Sequence, residues 1–224
     1  LARRGDGMTP LDPDRTLALS YVPAKRRAPV EALWRLDAAL GAVLAGGREP
    51  LISQIKLAWW REALEKLDRE KAPAEPVLQT LAEHVVPIIS GAALSDLEQG
   101  WAVLLSPDPL SPTDLDRYAA RGRVLFRYSA ELLGGLANEA VERSGEIWAL
   151  ADLARHSGEP DATAALERAG RLEVSDHRWR AALRPLGMLW ALARRDVEHG
   201  RGRLEPQGSP GRMMRMLRHR FTGR

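Results

Sequence analysis

Ala32-Leu33-Trp34-Arg35-Leu36-Asp37-Ala38-Ala39-Leu40-Gly41-Ala42-Val43-Leu44-Ala45 reads as one long, tightly packed helix. Alanine and leucine dominate it, and both are good helix formers. Small residues at Gly41, Ala42 and Ala45 allow a neighbouring helix or a lipid-like chain to approach closely. A single carboxylate, Asp37, stands in the stretch, with Gly41 one turn later and Ala45 one turn after that. Carboxylates four residues apart would share a face, and divalent cations need several such oxygen ligands. One acid followed by glycine and alanine is a poor cage.

The punctuation around this stretch defines its neighbours. Pro29 suits a first helical turn and Gly46-Gly47 a stop. Upstream, Lys25-Arg26-Arg27 form a basic turn between Pro23 and Pro29, and a short helix is expected over 14–21 with Asp12 or Asp14 near its start. Downstream, Pro50 opens a second long helix reaching about Leu67. Leu51, Ile55, Ala58 and Trp59 supply one apolar spacing there, and Leu57, Trp60, Leu64 and Leu67 another. So wide a face predicts packing against more than one neighbour.

Helical patterns resume over 77–89 and 93–105, with Gly91 at the joint. Ser106-Pro107-Asp108-Pro109-Leu110-Ser111-Pro112 is a loop. Ser111, Pro112 and Asp114 then offer the N-cap, first and third positions of a helix that Gly134-Gly135 close. Further helices fit 137–155, 160–170 and 176–199, and a shorter one 210–220. Period-two alternation and fixed-period repeats are lacking. The prediction is a single all-α domain over 14–205, a flexible segment at 1–13 and a basic, apolar segment at 206–224.

Composition narrows the function. The 224 residues suffice for one substantial core. Seven tryptophans outnumber three tyrosines and two phenylalanines, and such large side chains must be buried or cover something. The formal charge is only +3, but basic residues cluster at 25–27 and near the C-terminus, where they can attract phosphate or anionic lipid. Nucleic acid is disfavoured, because no reading motif or aromatic interleaving accompanies them. The absence of cysteine excludes disulfides and thiolate metal sites. No apolar run approaches the roughly 18 residues that would suggest a membrane span, and the first residues lack a signal-peptide pattern. A cytoplasmic location, with peripheral contact at the inner face of the cytoplasmic membrane, is the expectation.

Two segments carry a resemblance. Tyr21-Val22-Pro23-Ala24-Lys25-Arg26-Arg27-Ala28-Pro29-Val30-Glu31-Ala32-Leu33-Trp34 and Glu49-Pro50-Leu51-Ile52-Ser53-Gln54-Ile55-Lys56-Leu57-Ala58-Trp59-Trp60-Arg61-Glu62-Ala63-Leu64 are similar to the opening helices of the squalene/phytoene synthase family. The resemblance implies an isoprenoid-synthase-like helical bundle around a central apolar cavity. In active members, two facing aspartate-rich helices hold magnesium while isoprenyl diphosphates condense head to head. Here the first such stretch keeps only Asp37, and the best match to the second, Trp148-Ala149-Leu150-Ala151-Asp152-Leu153-Ala154-Arg155-His156, keeps only Asp152. The same losses resemble a non-synthase branch that assists respiratory complex I assembly. The leading expectation is therefore a non-catalytic protein, with no cofactor, that meets a respiratory-complex subunit or assembly intermediate, an anionic lipid or an isoprenoid. A magnesium-dependent prenyltransferase is the alternative.

Candidate residues follow. Asp37, Asp152 and His156 are weak catalytic candidates, each equally readable as a salt-bridge or surface residue, and no metal site is predicted. Lys25, Arg26 and Arg27 could contact phosphate or anionic lipid beside a helix N-terminus. Trp34, Gly41, Ala42, Ala45, Trp59 and Trp60 are expected on the cavity wall or in the core, with the adjacent Trp59 and Trp60 pointing different ways. Arg212, Met213, Arg215, Met216, Arg218 and Phe221 could meet a membrane or partner, or dock on the protein itself.

Overall fold

The computed structural model describes residues 9–46, 49–106, 109–174, 178–200, 202 and 204–224. Most of the expected flexible N-terminal segment, the stop at Gly47, the loop residues Pro107 and Asp108, and the expected helix start at 176 lie outside the described residues. Among the described residues every regular element is helical: α1 (Pro13–Ser20), α2 (Ala24–Ala45), α3 (Pro50–Lys66), α4 (Pro76–His84), α5 (Gly91–Leu94), α6 (Asp96–Ala102), α7 (Pro112–Leu132), α8 (Glu139–His156), α9 (Asp161–Gly170), α10 (Arg184–His199) and α11 (Pro210–Thr222). The all-α expectation holds. None of these helices is long and apolar enough to cross a membrane.

Local chemistry sets several boundaries. Asp12 caps α1 by accepting from the Arg15 amide at 2.9 Å, with Pro13 in the first turn. Ser111 and Asp114 form a reciprocal capping box on α7. Several boundaries differ from expectation: the helix expected over 77–89 ends at His84, and that expected over 93–105 is divided into α5 and α6 with a closing 3-10 turn. α2 starts at Ala24, so Pro29 lies inside it rather than in its first turn. The early start is held by Arg27, whose Nη2 donates at 3.0 Å to the carbonyls of both Ser20 and Val22 and ties α1 to α2. α10 starts only at Arg184, because Pro185 fits a first turn and not a helix interior.

α7 and α8 form the spine. They cross at Gly122 and Gly145, where a Cβ on either glycine would fall 2.1 to 2.2 Å from the other's carbonyl oxygen. Backbone on backbone, this contact sets the spacing of the side chains on both helices. Trp34 of α2, Phe126 of α7 and Trp148 of α8 fill the space alongside, with ring centres 5.1 to 6.2 Å apart.

α3 meets more than one neighbour, α2, α5 and α6, as expected, but it does so with a narrower face. Leu57, Trp60, Leu64 and Leu67 are buried, but the second spacing is not: Leu51 is 66% exposed, Ile55 61% and Trp59 45%. The helix packs on one side only.

Candidate functional site

Four helices send charged side chains to the middle of the bundle: Arg15 from α1, Asp37 from α2, Arg121 from α7 and Asp152 from α8, all buried. Asp37 is completely enclosed. Its Oδ1 accepts from Trp101 Nε1 at 3.0 Å and from Arg121 Nη1, while its Oδ2 pairs with Arg15 Nη1 at 3.8 Å. Asp152 Oδ2 accepts from Arg15 Nη2 at 2.8 Å and stands 3.6 Å from Arg121 Nη2. Each carboxylate therefore meets both guanidiniums, and Asp12 Oδ2 adds a third carboxylate at the outer edge, 2.9 Å from Arg15 Nε.

Aromatic faces complete the enclosure. The Arg121 guanidinium lies 4.2 Å from the Trp101 ring centre and 4.5 Å from that of Tyr118, while Arg15 lies 5.0 Å from Trp148. Desolvated contacts of this type contribute about 2 kcal/mol each. Tyr118 Oη accepts from Arg121 Nη2 at 3.1 Å. Burial, only partly offset by Arg121, pushes the Tyr118 hydroxyl above its usual range and keeps it protonated. Burial also pushes Asp152 up, but Arg15, Arg121 and His156 together outweigh it and hold this carboxyl below the usual range.

A second, balanced cluster adjoins the first. Arg212 of α11 donates to Asp14 Oδ2 and to Asp196 Oδ1, each at 2.8 Å, and Arg155 donates to Asp196 Oδ2 at 2.6 Å. Between the clusters lies a space of about 20 Å³, bordered by Arg15, Asp152, Arg155, Asp196 and Arg212. That is room for about one water molecule. Where an apolar cavity is expected between the helices, α1, α2, α7 and α8 close on salt bridges and tryptophan.

The residues at this place do not fit a magnesium cluster. Asp37 and Asp152 do come from the two helices that the resemblance assigns to metal binding, but guanidiniums already neutralise both. Among the described residues no three carboxylates or imidazoles converge as a ligand set. Gly41, one turn after Asp37, shows why no further acid fits: a Cβ there would lie 2.8 Å from Trp101 Cη2. The indole occupies that position.

The other predicted residues scatter. His156 is exposed, with Nδ1 2.8 Å from the Asp152 carbonyl oxygen, a helix-end contact. Arg27 is committed to the α1 carbonyls, and Arg26 Nη1 reaches the Leu132 carbonyl at 3.5 Å, so the basic triplet is in part a structural clasp. Trp34 and Trp60 are in the core, whereas Ala42, Ala45 and Trp59 are exposed, and Trp59 borders a hollow of about 210 Å³ along α3 and not the middle of the bundle. On α11, Arg212 and Met216 face inward and are unavailable to a membrane, because Asp14 and Asp196 demand a buried cation. Met213, Arg218 and Phe221 remain exposed, and Arg215 is half-buried.

Sequence reasoning missed Arg15, Tyr118, Arg121 and Trp101 as parts of one site. A usable signal existed for two of them. Arg15 shares a helix face with Ala18 and Leu19, and Arg121 precedes Gly122 on the flank of an apolar face, so both are badly placed for solvent.

No curated protein and no solved structure shows a significant match to the chain. The family model described as squalene/phytoene synthase matches residues 9–172, a span that holds Arg15, Asp37, Arg121 and Asp152. On that match the chain belongs to the squalene/phytoene synthase family.

Proposed function

We propose that this family member is non-catalytic and acts in assembly of a membrane complex or in binding a lipid-like ligand. The observation that carries the reading is the quartet of Arg15, Asp37, Arg121 and Asp152. Two fixed arginines take the place that divalent cations would need, and they are hydrogen-bonded, stacked on aromatics and buried. A leaving diphosphate requires cations it can reach, and these are already spent on carboxylates. The exposed row Leu51, Ile55 and Trp59 supports a partner-binding role, since contiguous apolar surface marks interaction sites. A respiratory-complex assembly intermediate at the inner face of the cytoplasmic membrane is the partner we propose.

One feature favours a synthase instead: Asp37 and Asp152 do face each other from α2 and α8. Incubation with farnesyl and geranylgeranyl diphosphate plus magnesium, with analysis of hydrocarbon product and released diphosphate, separates the readings. No turnover is expected. Magnesium-dependent product would overturn the proposal. For the assembly role, affinity purification from native membranes should recover respiratory-complex subunits with the natural chain and lose them with Ile55→Lys. Equal recovery would remove α3 from the argument.

A further inference from the structure

Away from the central quartet, α8, α9 and α10 enclose a groove of about 440 Å³ walled by Ile147, Leu172, Val174, Trp190 and Val197. A second hollow of about 340 Å³ continues along α10 and α11, and its wall includes Arg215 and Arg218. Trp190, Arg194 and Glu198 border both, so the two hollows are neighbours on either side of these side chains. One end is apolar and the other is cationic. Together they fall within the size range of small-molecule sites, about 300–1,000 Å³.

The charge at the basic end is not consumed internally. Arg194 pairs with Glu198 at 2.8 Å, whereas among the described residues no carboxylate comes within ion-pair distance of Arg215 or Arg218. Partial burial and then the neighbouring Arg195, Arg218 and Arg194 act against the Arg215 cation, with only Glu198 opposing them. A bound anion would relieve that crowding. This contrasts with Arg212 on the same helix, which is fully paired.

We propose that this groove binds an amphiphile with one apolar chain and a phosphate or carboxylate head. The chain lies along Ile147, Leu172, Val174 and Val197, and the head lies against Arg215 and Arg218. The inference deepens the lipid-like branch of the proposed function, and it does not depend on the central site being silent. Gly170 offers a way to block the apolar end. It lines the groove, and a Cβ added there meets Val197 Cγ1 at an ordinary 3.6 Å, so a larger side chain enters without backbone strain.

The test is calorimetric titration of the full chain with decyl phosphate below its micelle concentration, with decanol and inorganic phosphate as controls. Decyl phosphate should bind and each control should bind at least about tenfold more weakly, since chain and charge each contribute more than about 1.4 kcal/mol. Arg215→Gln with Arg218→Gln, and separately Gly170→Leu, should each weaken decyl phosphate at least about tenfold while leaving thermal unfolding in place. A parallel sedimentation with phosphatidic acid vesicles identifies the source. Vesicle binding lost in the same variants supports a bilayer lipid, and binding of free decyl phosphate alone supports a soluble ligand. No binding of decyl phosphate, decanol binding of equal strength, or indifference to both variants overturns the groove. Failure here alongside absent prenyl turnover would leave the non-catalytic reading standing.

Discussion

Replacing Asp37 by asparagine separates a structural carboxylate from a catalytic one. The substitution keeps the shape and an acceptor for Trp101 Nε1, which lies 3.0 Å from Oδ1, but removes the charge facing two buried guanidiniums. Arg15 would keep Asp152 and Asp12, each within 2.9 Å, whereas Arg121 would lose its nearest counterion and keep only Asp152 at 3.6 Å. Breaking a buried pair by deleting one partner costs about 3–5 kcal/mol. For a chain of this length that lowers the midpoint of thermal unfolding by about 6–20 °C. Arg121→Met should cost a similar amount, because it strands Asp37. The double variant removes one charge of each sign, so Arg15 and Asp152 remain matched at 2.8 Å. It should recover about 2–3 kcal/mol relative to the sum of the single losses. Urea unfolding of all four proteins measures each value. A loss below about 1 kcal/mol for Asp37→Asn, or strict additivity in the double variant, would refute the claim that this carboxylate exists to neutralise arginine.

Gly41→Asp, which restores an acid one turn after Asp37, should destabilise the fold and confer no magnesium-dependent stabilisation, because Trp101 fills the site; thermal melts with and without magnesium decide it. Gly122→Ala should cost about 3 kcal/mol or more by prising α7 from α8, the upper end of overpacking effects, as read from denaturant midpoints. Acidification should destabilise the protein through Asp152. Its folded carboxyl sits below the unfolded range of about 3.9, so the contribution is fully present above that pH and is lost as pH falls through the lower folded value. Urea midpoints measured downward from neutral should fall there, and less steeply in a variant lacking Arg15.

Local chemistry made most of the fold legible. Ser111, Pro112 and Asp114 fix the α7 start within three residues, and Pro50 fixes that of α3, because caps and prolines act on backbone groups beside them. Pro29 misled for the complementary reason: the clasp from Arg27 to Ser20 and Val22, a tertiary device, carries α2 past its proline. The site was half legible. Asp37 and Asp152 stood out as acids in apolar helices, but their partners come from α1 and α7, up to 137 residues away. Periodicity classes an arginine as surface unless its apolar neighbours are weighed. On α11 the same habit put Arg212 outside, although two buried aspartates claim it.

That claim by Arg212 also orders events in time. Asp14 and Arg212 are 198 positions apart, so at common synthesis rates Asp14 is made about 10–40 s before its counterion. Until α11 arrives, Asp14 lacks its cation and Asp196 keeps only Arg155. α11 thus works as a late-arriving latch, which balances the buried charges of α1 and α10 only once it has docked.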